Sequence, residues 1–128
     1  MTEPMDILIV DDSAAIRKIL QKVLSQSNLP FGAILEAVDG LEAIERLREK
    51  KVGIVLSDIN MPNMDGLALL TEMRAHPVWK SIPVIIVSTE ASQQRVMEAV
   101  ELGAAGYVRK PFTVDQIKDK IASLLAGG

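Results

Sequence analysis

The apolar residues of this chain fall into two patterns that alternate along its length. Runs of strand length occur at residues 6–10 (DILIV), 32–37 (GAILEA), 52–57 (VGIVLS), 82–88 (IPVIIVS) and 104–108 (AAGYV). The first, third and fourth are almost continuously aliphatic, as strands are when helices cover both faces of a parallel sheet. Between the runs the spacing changes. Ile16, Ile19, Leu20, Val23 and Leu24 make one stripe of an amphipathic helix, and Asp12 or Ser13 can cap its start. Val114, Ile117, Ile121, Leu124 and Leu125 make a second stripe, with Thr113 as its cap. Residues 40–50, 66–75 and 91–102 carry weaker helical patterns, and Gly103 is placed to end the last of them. Gly127 and Gly128 read as a frayed end. Strand and helix repeated five times predict an α/β fold: a parallel sheet with right-handed crossovers and helices on both faces.

Length and composition narrow the class. The 128 residues suit one domain spanning 1–128, with no output domain. The absence of cysteine excludes thiol catalysis, cysteine–zinc sites and a disulfide scaffold, and fits a reducing compartment. The start, MTEPMD, has no apolar signal core, and IPVIIV is far too short to span a bilayer. A net charge of −3 does not favour a nucleic-acid surface, although a local basic patch remains compatible with it. These features predict a cytoplasmic protein with neither membrane nor nucleic-acid partners.

In open α/β sheets ligands bind beyond the carboxyl ends of the strands. Asp11-Asp12 follow the first strand and Asp58 the third; Ser88 ends the fourth and Thr89-Glu90 follow it, and Arg109-Lys110-Pro111 follow the fifth. Each residue alone has a plain explanation. Asp12 and Ser88 can be caps, Asp58 can open a turn, and Lys110 can be a solvated surface lysine. Their convergence on one sheet edge changes the reading. Carboxylates within about 4 Å repel by roughly 4 kcal/mol at an effective dielectric near 20. Such a cluster needs a proton or a bound cation. Oxygen ligands of this kind suit magnesium, which often shares its coordination shell with a phosphate.

Taken together, Asp11-Asp12, SDINMPNMDG at 57–66, VSTE at 87–90 and GYVRKPF at 106–112 resemble the receiver domain of two-component response regulators. The resemblance covers essentially the whole chain and is strongest to stand-alone chemotaxis regulators. It implies a flavodoxin-like sheet of strand order 2-1-3-4-5. It also implies that Asp58 is the phosphoacceptor and that Asp11, Asp12, Asp58 and the Asn60 backbone carbonyl bind Mg2+. By the same resemblance Lys110 pairs with the acceptor and then with the phosphoryl group, over a cis bond to Pro111. Ser88 is the switch hydroxyl and Tyr107 the switch aromatic, while Asn60 and Glu90 tune hydrolysis. Thr89 departs from the pattern, because the residue after the switch hydroxyl is usually very small. The implied partners are a sensor histidine kinase and a downstream protein such as a flagellar motor switch protein, with the domain acting as a monomer. A phosphorelay intermediate is the alternative within this chemistry.

Two other classes fit the sequence less well. A small phosphatase with an aspartate nucleophile usually has a second acid two residues later, where this chain has Asn60. A flavin- or nucleotide-binding module needs a glycine- or hydroxyl-rich phosphate loop after the first strand. The loop here, VDDSAAI, has no glycine and two negative charges. His76, Arg17 and Lys18 read as ordinary surface residues, Met61 and Met64 as loop packing. Trp79 falls before the fourth strand, at the sheet end opposite Asp58.

Overall fold

The structure, a computed structural model, describes residues 5–27, 29–90 and 92–127. The elements are β1 (Asp6–Val10), α1 (Ala14–Ser25), β2 (Ile34–Ala37), α2 (Gly40–Glu49), β3 (Val52–Ser57), α3 (Gly66–Ala75), β4 (Val84–Ser88), α4 (Gln93–Glu101), β5 (Gly106–Arg109) and α5 (Val114–Gly127). A one-turn 3₁₀ helix, Trp79–Ser81, precedes β4. The five strands form one parallel sheet of order β2-β1-β3-β4-β5. The expected fold class and strand order are both observed.

Successive strand residues point to opposite faces, so the continuous aliphatic runs feed two cores. Ile7, Ile9, Ile54, Leu56, Ile85 and Val87 pack with Leu20 and Val23 of α1 and with Ile117 and Ile121 of α5. Leu8, Val10, Val55, Val84 and Ile86 pack with residues of α2, α3 and α4, among them Leu47, Leu70 and Ala99. Met61 and Met64 pack against this second core, as their loop position suggested.

Element ends depart from the expected ranges for local reasons. β4 starts at Val84 rather than 82, because Pro83 has no amide hydrogen to give a ladder. β2 starts at Ile34 rather than 32, and the amide of Ala33 donates instead to the Asp6 carboxylate at 2.8 Å. β5 shifts to Gly106–Arg109. Ser13, not Asp12, caps α1: its hydroxyl accepts from the amide of Ile16 at 3.2 Å. That leaves Asp12 outside the helix cap. Thr113 and Gln116 cap α5 reciprocally, each side chain accepting from the other's amide, at 3.2 and 2.8 Å.

α4 begins at Gln93 with Ser92 as cap, and Gly103 adopts φ +88° just after it, a conformation that ends the helix. The expected first residue of α4, Ala91, lies outside the described residues, as do Gly128 and the Leu125 side chain. α5 runs through Gly127, the first of the two terminal glycines. Ile19 and Val114 fall at the outer margins of their stripes, each 49 % exposed.

His76 is not a plain surface residue. It caps α3, and its Nδ1 accepts from the amides of Val78 and Trp79 at 3.1 and 3.2 Å. Its ring stacks on Trp79 with centroids 3.7 Å apart. The imidazole thereby shapes the turn into the 3₁₀ helix.

Candidate functional site

The site forms where the parallel ladders run out. The amide of Asp58 donates to the Val10 carbonyl at 2.9 Å, which extends the β3–β1 pairing by one residue. The amide of Asp11 likewise donates to Ala37 at 3.0 Å, across β1 and β2. Both acids are therefore fixed by strand geometry and not by loops. On β4, Ser88 pairs in register with Arg109, and its carbonyl accepts from the amide of Lys110 at 3.0 Å. The Lys110–Pro111 bond is cis, as the resemblance implies.

Asp11, Asp12 and Asp58 each offer a carboxylate oxygen, and these oxygens lie within 4.8 Å of one another. Lys110 reaches into the cluster, and its Nζ donates to Asp11 Oδ2 at 2.7 Å and to Asp58 Oδ2 at 3.1 Å. The lysine thus bridges two acids, whereas the resemblance implied a partner only in Asp58. Asp58 Oδ1 accepts from the amide of Ile59 at 2.7 Å, and Asp11 Oδ1 from that of Ser13 at 2.9 Å. Asp11 and Asp58 are buried and Asp12 is exposed.

Charge states follow from these surroundings. Burial pushes the Asp11 carboxyl above its usual range, against the opposing pull of Lys110. Burial alone would depress Lys110, but its bonds to Asp11 and Asp58 outweigh that and hold the ammonium above the ordinary lysine value.

Asn60, Ser88, Glu90 and Tyr107 make a second, connected layer. Asn60 Nδ2 donates to Glu90 Oε2 at 3.0 Å, joining the β3–α3 and β4–α4 loops. That bond holds the Glu90 carboxyl below its usual range. The amide of Glu90 donates to the Ser88 hydroxyl at 3.1 Å, and its carbonyl accepts from the Tyr107 hydroxyl. Ser88 is fully buried and Tyr107 half-buried. Burial, then the Glu90 charge, push the Tyr107 phenol upward. Thr89 is exposed beside this network.

Arg17, expected as an ordinary surface residue, departs from that expectation as His76 does. Its side chain is only 15 % exposed and belongs to no solvated face. Its Nη1 donates to the Asp11 carbonyl at 2.7 Å, and its Nε to Glu36 Oε1 at 2.9 Å. The available signal was Glu36, an acid inside the apolar run GAILEA, which needs a partner. Lys18 is exposed, as expected.

A parallel sheet of this order, with an acidic cluster and a lysine at its carboxyl edge, defines the receiver class of signalling domain. The chain belongs to the response regulator receiver domain family of two-component signalling, whose model matches residues 7–122. It is similar to Chemotaxis protein CheY-3 of Vibrio cholerae, with 38% identity over 121 residues that cover 94% of this chain and 92% of that one. The Chemotaxis protein CheY homolog of Campylobacter jejuni is 36% identical over 125 residues, covering 97% and 95%. Among solved structures, the receiver domain of a signal transduction histidine kinase from Syntrophus aciditrophicus superposes with a TM-score of 0.85. It has 28% identity and covers 96% of this chain and 91% of that one.

Proposed function

We propose that Asp58 accepts a phosphoryl group from the phosphohistidine of a sensor histidine kinase, with magnesium, and that a partner protein in chemotaxis reads the phosphorylated form. The observation that carries this reading is the setting of Asp58. It is a buried strand-end carboxylate with an ammonium at 3.1 Å and the Asp11 and Asp12 carboxylates within 4.8 Å. An Asp58 oxygen attacks phosphorus while the bond from phosphorus to the donor imidazole breaks. The electron pair of that bond leaves with the imidazole nitrogen, and the product is an acyl phosphate. The transferring group is loosely bonded, so the surroundings act by positioning it and neutralising its charge.

The donor set fits a divalent cation. Three carboxylates face one ammonium, all ligand atoms are oxygen, and excess negative charge remains. Asp11, Asp12, Asp58 and the Asn60 backbone carbonyl would hold magnesium, which when bound supplies charge neutralisation to the phosphoryl oxygens. Lys110 turns from Asp58 to a phosphoryl oxygen, and the Ser88 hydroxyl donates to another. The Ser88 hydroxyl accepts from the Glu90 amide and the Tyr107 hydroxyl donates to the Glu90 carbonyl, so engagement of Ser88 reaches Tyr107 through one loop. Asn60 and Glu90 bridge the mouth beside Thr89, where water must enter to hydrolyse the acyl phosphate. The chemotaxis relatives, with Asn60, Glu90 and Tyr107, favour a flagellar motor switch protein as reader.

With acetyl phosphate and magnesium, the protein is expected to gain one phosphoryl mass, and Asp58→Asn none. Intact-protein mass spectrometry reads both, and equal labelling of the variant would move the acceptor elsewhere.

A further inference from the structure

Arg17 lies outside the acidic cluster yet grips its backbone. The carbonyl it holds belongs to the peptide unit that joins Asp11 to Asp12, with Nη1 at 2.7 Å from the oxygen. The other end of the guanidinium is anchored on the sheet edge. Nε donates to Glu36 Oε1 at 2.9 Å, and the second Glu36 oxygen accepts from Gln21 Nε2 at 2.7 Å. Glu36 sits on β2, in register with Ile9 of β1. A chain of side-chain bonds therefore runs from α1 to β2 and back to the loop that presents both acids.

This matters most for Asp12. Asp11 has its own restraints, from the Ser13 amide and from Lys110. Asp12 is exposed, and no side-chain hydrogen bond holds its carboxylate among the described residues. Only the backbone aims it, and the peptide plane on its amino side is the one that Arg17 pins. Release of that plane leaves Asp12 free to swing out of the cluster. We infer that Arg17 is a positioning residue for divalent-cation binding, acting through the Asp11–Asp12 peptide unit upon Asp12. The inference rests on the metal reading proposed above.

Electrostatics and positioning predict opposite signs here. Removing a cation beside three acids would by itself raise their affinity for Mn2+ or Mg2+. Losing a group that orients a metal ligand lowers it, by about tenfold in comparable sites. The direction of the change therefore separates the two effects.

The test is Mn2+ alone, titrated into the protein, with free ion counted by electron paramagnetic resonance. Urea unfolding followed by Trp79 emission confirms that each variant is folded. Arg17→Ala is expected to weaken Mn2+ binding by about tenfold. Arg17→Lys retains a donor but not the fork, and is expected to fall between Arg17→Ala and wild type. Glu36→Ala, which frees the anchor but keeps Arg17, is expected to weaken binding less than Arg17→Ala. In an Asp12→Ala background the further change Arg17→Ala is expected to cause no further weakening, because the ligand it positions is gone and only the electrostatic effect, of opposite sign, remains. Unchanged or tighter binding in Arg17→Ala overturns the inference, as does full additivity with Asp12→Ala. If Arg17→Ala fails to fold, Arg17→Lys and Glu36→Ala carry the same decision. Failure of the underlying metal reading looks different: wild type does not bind Mn2+, or Asp12→Ala binds it as wild type does.

Discussion

Burial holds the Asp11 carboxyl above its ordinary range even though Lys110 donates to it at 2.7 Å. The folded state therefore binds that proton more tightly than the unfolded chain does. For an acid raised in this way, stability falls as pH rises through the unfolded value, about 3.9, towards the folded one. At neutral pH without divalent ions, the charged group thus works against folding. Asp11→Asn keeps an oxygen to accept from the Ser13 amide and removes the buried charge. It is expected to be more stable than wild type to urea at pH 7, and the gain should vanish below about pH 3.9. A variant less stable than wild type at pH 7 would mean that the Lys110 ion pair outweighs desolvation. Single residues were also where the sequence was hardest to read. The acids, Ser88 and Lys110 stand at or beside strand ends, so their order along the chain was enough to place them at one sheet edge. The roles of Arg17 and His76 are made by contacts to Asp11, Glu36, Val78 and Trp79, which linear spacing does not encode.

Elements were legible because each rests on a periodic pattern, while their ends depend on chemistry finer than periodicity. β1 and β3 match their apolar runs, whereas β4 is trimmed at Pro83. The start of α3 shows what a turn signal can conceal. Asp65 caps the helix, its Oδ1 accepting from the Ala68 amide at 2.8 Å. The next residue, Gly66, reads as a turn glycine, yet a Cβ there would lie 2.1 Å from the Asp58 carbonyl oxygen and 2.9 Å from Ile59 Cα. Both are backbone atoms and cannot yield without moving the strand end. Gly66 thus lets α3 dock directly against the residue that carries the site. Gly66→Ala is expected to cost about 1–3 kcal/mol by overpacking, read from urea midpoints. Gly40→Ala is the comparison: the three atoms nearest its Cβ belong to the Met64 side chain, and two of them, Cγ at 2.5 Å and Sδ at 2.7 Å, can rotate away. It is expected to cost less, and equal losses would contradict the backbone-contact account.

Across the whole molecule the sheet separates chemistry from its reporter. The acidic cluster sits at the carboxyl ends of β1 and β3. Trp79 lies at the opposite pole, where it lines a cavity together with Val52, Gly53, Ile82 and Pro83 at the starts of β3 and β4. The six residues of β3 span about 20 Å, too far for a bound ion to touch the indole. Yet global unfolding must expose Trp79, because it belongs to the same core as Val10 and Ile59. The emission of Trp79 should therefore be blind to binding and sensitive to folding. A ligand that binds only the folded state at a hundred times its Kd stabilises it by about 2.7 kcal/mol. Magnesium at that excess is expected to leave native emission unchanged and to raise the urea midpoint by the corresponding amount. In Asp12→Ala, which lacks one of the three carboxylates, the same concentration should give a smaller rise. Strong quenching of the native protein by magnesium would place a binding site near Trp79. An unchanged midpoint in wild type, with native emission also unchanged, would instead mean that the acidic cluster does not bind the ion at that concentration.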